Sequence, residues 1–600
     1  MKLVADIAAP RPLYVRETAR VFACALVILL TVGQLDPGID LYSLPQHDIV
    51  QRLALNALPG LTMFGLLLAL TRRAVLSSWL VLLVLGGLYA ANDAKLGALQ
   101  TPLLPADLRF LAEPGPALQL FSKYLHVGLG RLALIGAGVG LTLVLLRERR
   151  LQSLEGWRAP LLGLVALAAG TGLVGGSTPW RRLYQTTELA FQPWALGESV
   201  ARTGLIGSLL VYHWQISGNG IPPADHDAAL SLLRAHAPAL RNAMAAAPAK
   251  GTTPDIVVVQ SESLFDPARL RNVLSDRWLR QYHRLTRRAN YGDLVVPTYA
   301  GGTIRTEFEV LTGAPLTSLG GVQYPWVELD ADEYPGIART LGAQGYRTVA
   351  IHPNAAAFWN RDRAYPALGF ERFVDSTAFA DSEIVGLFVG DAALTDRIVA
   401  ELASDGPPQF VFAISMENHG PFDWRPGLDP ARYSALPMPE GLDEGGRAWF
   451  GNYLYLLDDA DRELGRLADA LMKRKRHTLL LFYGDHLPDL APVYYQLGFD
   501  DGRDAKQQPV PWLLLDNQNK RMRHTDTRSW FLPALLLDAA GVVDRSYFAA
   551  LSALLDDDFD PADDTSAAGL TALARLHLRG EFDAVLAEAL DTPDFVAAAN

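Results

Sequence analysis

Apolar residues run without an internal charge through five stretches before residue 180, near 19–36, 54–71, 74–91, 131–146 and 159–176. At 1.5 Å of helix rise per residue, each matches a hydrocarbon core of about 30 Å, so the pattern predicts five membrane-crossing helices. After residue 255 the pattern changes. Short β-rich runs at 256–260, 347–352, 410–415 and 479–483 alternate with helical stretches, as in a mostly parallel central sheet covered by helices. The expected architecture is an N-terminal five-helix transmembrane bundle followed by an α/β domain.

Charge orients the bundle. Lys2, Arg11, Arg16 and Arg20 precede the first run, Arg72 and Arg73 join the second to the third, and Arg147, Arg149, Arg150 and Arg158 join the fourth to the fifth. Basic loops stay on the cytoplasmic side, and all three clusters fall on one side. An odd number of spans then carries everything after about residue 180 out of the cytoplasm. The first run lacks a small-residue cleavage site and reads as a retained anchor rather than a signal peptide. Four regions follow: a transmembrane domain over 1–180, a membrane-proximal connector and linker over 181–250, a catalytic domain over 251–550, and an acidic, helical appendage over 551–600. Trp180 at the end of the transmembrane domain and Arg181, Arg182, Tyr184, Phe191 and Trp194 in the connector are types suited to the headgroup zone, and the connector closes with the Ala/Pro-rich tether 243–249.

The 600 residues are half hydrophobic and 20% charged, with a net charge of -12. That charge is unevenly spread: 17 Lys/Arg against 12 Asp/Glu in 1–200, and 36 against 53 afterwards. So acidic a second part offers no basic stripe for nucleic acid. The single cysteine, Cys24, excludes internal disulfides and thiolate metal clusters.

In sheets of this kind ligands bind beyond the carboxyl ends of the strands, so the residues after each run carry the candidate chemistry. They are Gln260-Ser261-Glu262-Ser263, His352-Pro353-Asn354, Glu417-Asn418-His419-Gly420 and Gly484-Asp485-His486. Any one of them alone is more often a helix cap or loop residue. Together, Glu262, Asp485 and His486 supply oxygen and nitrogen donors suited to Mn²⁺, Mg²⁺ or Zn²⁺. The turn Ala300-Gly301-Gly302-Thr303 adds a hydroxyl, Thr303, at the start of a predicted helix, where free N–H groups and the dipole favour an anion. Gly-Gly-Thr is also an ordinary turn with an N-cap; its company with three metal-type ligands favours a nucleophile.

These motifs, in this order, resemble the lipoteichoic acid synthase and phosphoglycerol transferase family of the alkaline phosphatase–sulfatase superfamily. The resemblance covers most of the chain. It runs from the loop Asn92-Asp93-Ala94-Lys95 to Leu104-Pro105-Ala106-Asp107-Leu108, through Gly301-Gly302-Thr303 and Glu307-Phe308-Glu309-Val310-Leu311-Thr312-Gly313, to Phe358-Trp359-Asn360-Arg361-Asp362 with Tyr365. It closes in Asn418-His419-Gly420-Pro421-Phe422 and Tyr483-Gly484-Asp485-His486.

The resemblance implies a sulfatase-like catalytic domain and a membrane-bound, extracytoplasmic enzyme. Thr303 would be the nucleophile, and Glu262, Thr303, Asp485 and His486 would hold one divalent metal, Mn²⁺ or Mg²⁺ rather than Zn²⁺. His352, Trp359, Arg361 and His419 would line a phosphoglycerol pocket, with Arg361 on phosphate and His419 exchanging a proton. The structural alternatives are a core position for Trp359 and a salt bridge of Arg361 with Asp362 or Glu371. Arg305 stands where many relatives carry small or acidic residues and is a candidate contact for acceptor or phosphate. The donor would be phosphatidylglycerol in the membrane and the acceptor an extracytoplasmic glycan; the Ala-, Arg- and Leu-rich composition favours a periplasmic glucan over a lipoteichoic acid chain. Phosphoethanolamine transfer, sulfatase or phosphodiesterase activity, and an inert scaffold are the rival readings. Ser177-Thr178-Pro179-Trp180-Arg181 matches a sulfatase modification signal literally, but lies upstream of the first strand. The tail, with acidic 556–558 and a helix-like 567–590, is expected to be solvated.

Overall fold

The computed structural model describes residues 11–39, 46–99, 102–107, 129–184, 196–216, 220–245, 253–274, 277–329, 332–556 and 559–590. Lys2, Leu108, Phe191, Trp194, 246–249 and 557–558, all named above, lie outside these residues. The described chain forms two compact units, one up to residue 216 and one from residue 220.

In the N-terminal unit, α1 (Arg11–Leu35), α2 (Gln46–Thr71) and α3 (Ala74–Leu99) contain apolar spans of 22, 23 and 23 residues, long enough to cross a membrane. The fourth run forms α4 (Leu129–Leu145), whose 17 residues give only about 25 Å of helix. The fifth forms α5 (Arg158–Val174), followed after a 65° bend by α6 (Thr178–Tyr184). Five spans are therefore not established: the described residues hold three, or four if the bent pair counts as one. The bend falls at Gly176, in the left-handed region at φ +60°, where a Cβ would meet the Trp214 ring at 2.7 Å. Arg181 donates from Nε to the Gly176 carbonyl at 2.6 Å, so the literal sulfatase signal is a helix corner.

Polar side chains fasten the loops of this unit. Glu148 accepts from Val75 N at 3.2 Å and Leu76 N at 2.9 Å, capping α3. Asn92 Oδ1 accepts from Leu103 N at 3.0 Å, while Lys95 pairs with Asp107 at 2.6 Å. The Asn92…Asp107 motif thus pins the loop after α3.

The second unit is built on strands β1 (Asp255–Ser261), β2 (Asn290–Val295), β3 (Arg347–Ile351), β4 (Arg372–Val374), β7 (Gln409–Ile414), β8 (Thr478–Gly484), β9 (Val510–Asp516), β10 (Arg523–His524) and β11 (Thr527–Arg528), with a separate hairpin of β5 (Ile384–Val385) and β6 (Phe388–Val389). The sheet order is β10-β2-β9-β8-β1-β7-β3-β4, with β11 also on β2. The four expected strands appear within one residue of their predicted ends. The sheet is mixed, however, because β9 runs antiparallel to both β8 and β2. Every residue of β1, β7 and β8 is buried, which explains their unbroken apolar runs. Parallel register places Gln260 beside Ile414 and Ser261 beside Gly484, so three of the predicted polar loops leave the sheet side by side.

Helices α7 (His226–Ala235) and α8 (Ala237–Ala245) precede β1, α9 (Thr303–Thr312), α10 (Asp391–Glu401) and α11 (Glu444–Met472) cover the sheet, and α12 (Leu532–Ala540), α13 (Tyr547–Asp556), α14 (Asp564–Leu578) and α15 (Phe582–Ala589) close the chain. The chain after residue 550, which includes the end of α13 and all of α14 and α15, is expected from sequence to be solvated. Instead Leu570, Leu573, Ala574 and His577 are buried, α14 packs on α7 and α13 on α8, and Arg575 donates to Ser318 O at 2.7 Å. The acidic stretch at 556–558 masked an apolar face at helical spacing. Helices α7 and α8, placed by sequence in the connector, belong to this unit.

Candidate active site

Ala300, Gly301 and Gly302 take φ of 59°, 145° and 78° in succession. A Cβ on Gly302 would lie 2.9 Å from Thr298 Oγ1. This left-handed turn delivers the chain into α9 with Thr303 at its first position, 8% exposed. Thr303 Oγ1 donates to Glu262 Oε2 at 3.1 Å. Gln260, whose Oε1 accepts from Tyr483 OH at 2.7 Å, donates from Nε2 to the Thr303 carbonyl at 3.2 Å.

Glu262, Asp485 and His486 offer ligand atoms that all lie within 4.8 Å of one another. Backbone and side chains of the neighbouring loops fix them. Ser263 N donates to Asp485 Oδ1 at 2.8 Å, Ser263 Oγ to Glu262 Oε1 at 2.9 Å, and Thr306 Oγ1 to the Asp485 carbonyl at 2.7 Å. Ser415 Oγ accepts from Glu262 N at 2.9 Å, and Asn418 bonds the carbonyls of Glu262 and Ser263.

This arrangement fits a cation. His486 Nδ1 is 2.9 Å from Leu487 O, which makes Nδ1 the protonated nitrogen and directs the Nε2 lone pair at Glu262 Oε1 and Asp485 Oδ2, each 3.4 Å away. Burial pulls the imidazole below its ordinary pKa, so it is neutral and three acceptors face one another. Asp485 Oδ2 and His486 Nε2 are buried without a hydrogen-bond partner. Burial and the Glu262 charge drive the Asp485 carboxyl far above its usual range. Burial opposes ionisation of Glu262 as well, but His419, His486 and bonds from Ser263 and Thr303 hold it below the usual range. A positive ion relieves this repulsion and satisfies both orphaned atoms.

The other predicted residues group nearby. His419, half-buried, places Nδ1 2.9 Å from Gly420 O and packs on Phe388 with centroids 5.0 Å apart. Arg425 donates to the His419 carbonyl and lies over Phe388 and Phe422 at 5.6 Å. Arg305 donates to Gln323 O at 3.0 Å and covers the Tyr324 ring at 5.7 Å; Tyr324 packs on Trp359 at 4.6 Å. Trp359, half-buried, sits at φ +59° and Asn360 at +60°. Arg361 is 1% exposed and pairs with neither Asp362 nor Glu371: its partner is Glu307, at 2.7 Å from Nη2. His352, buried, has Nδ1 3.3 Å from Ile414 O and is kept neutral by burial and the Arg361 charge. Tyr324, Glu307 and Arg425 were not singled out from sequence; Glu307 stood inside a quoted motif, one helical turn after Thr303.

Residues 254–542 match the family model described as sulfatase. The match takes in just under half of the chain and agrees with the resemblance of its motifs to the lipoteichoic acid synthase and phosphoglycerol transferase family of the alkaline phosphatase superfamily. A putative cyclic β-1,2-glucan modification protein of Rhizobium meliloti is 31% identical over 323 residues, 51% of this chain and 49% of the relative. Lipoteichoic acid synthase 1 of Bacillus subtilis is 25% identical over 145 residues, 24% of this chain and 22% of the relative. The chain spans at most about half the length of these curated relatives. By fold, the phosphoglycerol transferase GacH of Streptococcus pyogenes superposes with a TM-score of 0.51 at 22% identity, over 60% of this chain and 94% of that one.

Within the stretch matched by the sulfatase model a second pair of carboxyls is buried. Glu417 Oε2 accepts from Asp391 N at 2.6 Å, while Asp391 Oδ1 and Glu417 Oε1 have no hydrogen-bond partner. Burial, then Glu463 and Glu262, push Asp391 up to about 7; burial and Asp391 push Glu417 up to about 8. The folded protein thus holds protons that the unfolded chain releases near pH 4, and stability falls as pH rises from there through about 8. Between about pH 5 and pH 8.5 the melting temperature of the natural protein should fall more steeply than that of E417Q, by on the order of a few °C. Parallel melting curves for the two proteins would refute the shared burial of charge.

Proposed function

We propose that the chain is a membrane-bound phosphoglycerol transferase. It moves glycerol phosphate from phosphatidylglycerol to an extracytoplasmic glycan through a covalent intermediate on Thr303, and releases diacylglycerol. The observation that carries this reading is the Thr303 hydroxyl, at the start of a helix and bonded to a carboxylate of the Glu262–Asp485–His486 cluster. With Thr303 these residues would hold one divalent ion, Mn²⁺ or Mg²⁺; such an ion lowers the pKa of the hydroxyl and neutralises phosphoryl charge.

The residues of the chain do the rest. Thr303 Oγ1 gives its proton to the bonded Glu262 Oε2 and attacks phosphorus, the P–O bond to diacylglycerol breaks, and a proton from His419 goes to the departing oxygen. In the second half a glycan hydroxyl attacks the phosphothreonine, its proton passes to His419, the P–O bond to Thr303 breaks, and Thr303 takes its proton back from Glu262. Amides at the start of α9 and the Arg361 guanidinium hold the phosphoryl oxygens. Arg305, Tyr324 and Trp359 form a cationic and aromatic wall beside the nucleophile for a sugar or glycerol face. Likeness to the glucan modification protein supports a glucan acceptor, and the basic-loop pattern supports a periplasmic site on the plasma membrane.

The test uses the purified chain in nanodiscs containing phosphatidylglycerol labelled in its glycerol headgroup. Diacylglycerol release with Mn²⁺, abolished by EDTA, is expected. Label leaving phosphatidylethanolamine or a sulfate ester, with phosphatidylglycerol untouched, would refute the donor.

A further inference from the structure

Glu307 is 0% exposed and lies one turn after Thr303 on the same face of α9, since i and i+4 share a side of a helix. Its carboxylate accepts four contacts from three donor atoms. Trp326 Nε1 donates to Oε1 at 3.0 Å, Arg361 Nε reaches Oε1 at 3.3 Å and Oε2 at 3.1 Å, and Arg361 Nη2 reaches Oε2 at 2.7 Å. Trp326 in turn receives, at its carbonyl, a 2.7 Å bond from Asn360 Nδ2. Asn360 and Trp359 are both held in the left-handed region, a conformation that a non-glycine residue keeps only where its surroundings enforce it. Arg361 Nη1 is the guanidinium nitrogen left without a protein partner.

We propose that Glu307 is a positioning residue that fixes the distance between the Thr303 hydroxyl and the Trp359–Arg361 wall. One buried carboxylate grips the arginine by its Nε/Nη2 edge, leaves Nη1 for a phosphoryl oxygen, and fastens both to the helix that starts at the nucleophile. A helix turn is stiff, so its first and fifth residues move as one body. This inference rests on Arg361 binding phosphate in the proposed reaction.

The experiment compares E307Q, R361K and the double variant in full-length protein in nanodiscs, measuring kcat and KM for phosphatidylglycerol, Mn²⁺ stoichiometry and thermal melting. Each single variant should lose about 10²-fold in kcat/KM, with Mn²⁺ stoichiometry unchanged. The double variant should lose little more than either single one, because both act through one unit. Losses that multiply would show independent roles and overturn the proposal. So would a folded E307Q within twofold of the natural protein while R361K is crippled. An R361K protein with natural kinetics would overturn the phosphate role of Arg361 and this inference with it. If E307Q does not fold, E307D decides: a carboxylate one methylene short displaces Arg361 without removing the charge, and unchanged kcat/KM rejects the positioning role.

Discussion

Replacing Thr303 with alanine is expected to lower kcat by about 10³-fold or more, the scale seen when a covalent nucleophile is deleted. The loss should be larger than for any other single hydroxyl in the domain. Thr303 Oγ1 is bonded to Glu262, a carboxylate held below its usual range, and the backbone behind it is set by a left-handed turn that places the hydroxyl at a helix start. The methyl group left by T303A fills no new space, so the fold should survive. Metal affinity should fall only in part, since Glu262, Asp485 and His486 remain. The direct readout is radiolabel from headgroup-labelled phosphatidylglycerol retained on denatured protein: present in the natural chain when acceptor is withheld, absent from T303A. T303S, which keeps a hydroxyl, should restore measurable labelling. Labelled T303A protein would move the nucleophile elsewhere.

Stripping the divalent ion is expected to have an effect of similar size, on stability as well as rate. Without a cation, Glu262 and Asp485 crowd two buried carboxyls around a neutral imidazole, and Asp485 is pushed far toward its protonated form. An ion that binds the folded state alone adds RT ln(1 + [L]/Kd), about 2.7 kcal/mol when free metal is 100-fold above Kd. Mn²⁺ should therefore raise the melting temperature in proportion to the logarithm of its concentration, and EDTA should reverse both this shift and the activity. D485N keeps the shape but removes the charge. It should abolish the Mn²⁺-dependent shift and lower activity by about 10²-fold or more. Indifference of both melting and turnover to chelator would sink the metal site.

The centre of the domain was legible in the sequence because its physics is local. Three buried parallel strands read as apolar runs, and the polar residues at their ends had to leave the sheet on one side. Long-range choices were not legible. Nothing within Val510–Asp516 tells that β9 runs antiparallel to β8, since a strand buried on both faces carries the same pattern in either direction. Arg361 invited pairing with nearby Asp362 or Glu371, yet its partner Glu307 lies 54 residues away, brought in by the sheet crossing between them. The fourth apolar run looked like a span, but the described helix stops at 17 residues. Local acidity at 556–558 hid the apolar stripe that docks α14.

The far end of α9 stops at Gly313, whose carbonyl accepts from Tyr547 OH at 3.0 Å; Tyr547 stacks on His577 at 3.9 Å, and His226 on α7 pairs with Glu588 on α15 at 3.1 Å. A fragment cut at the family boundary near 542 would leave the nucleophile helix with a raw apolar end. One begun at β1 would strip the partners of α13 and α14. A fragment that keeps these contacts must start near Gly220 and run to Leu590. By the same token, a protease acting between Ala245 and Thr253 would nick the domain without liberating it: α7 and α8 would stay behind as a noncovalent tether, and detachment would await their unpacking.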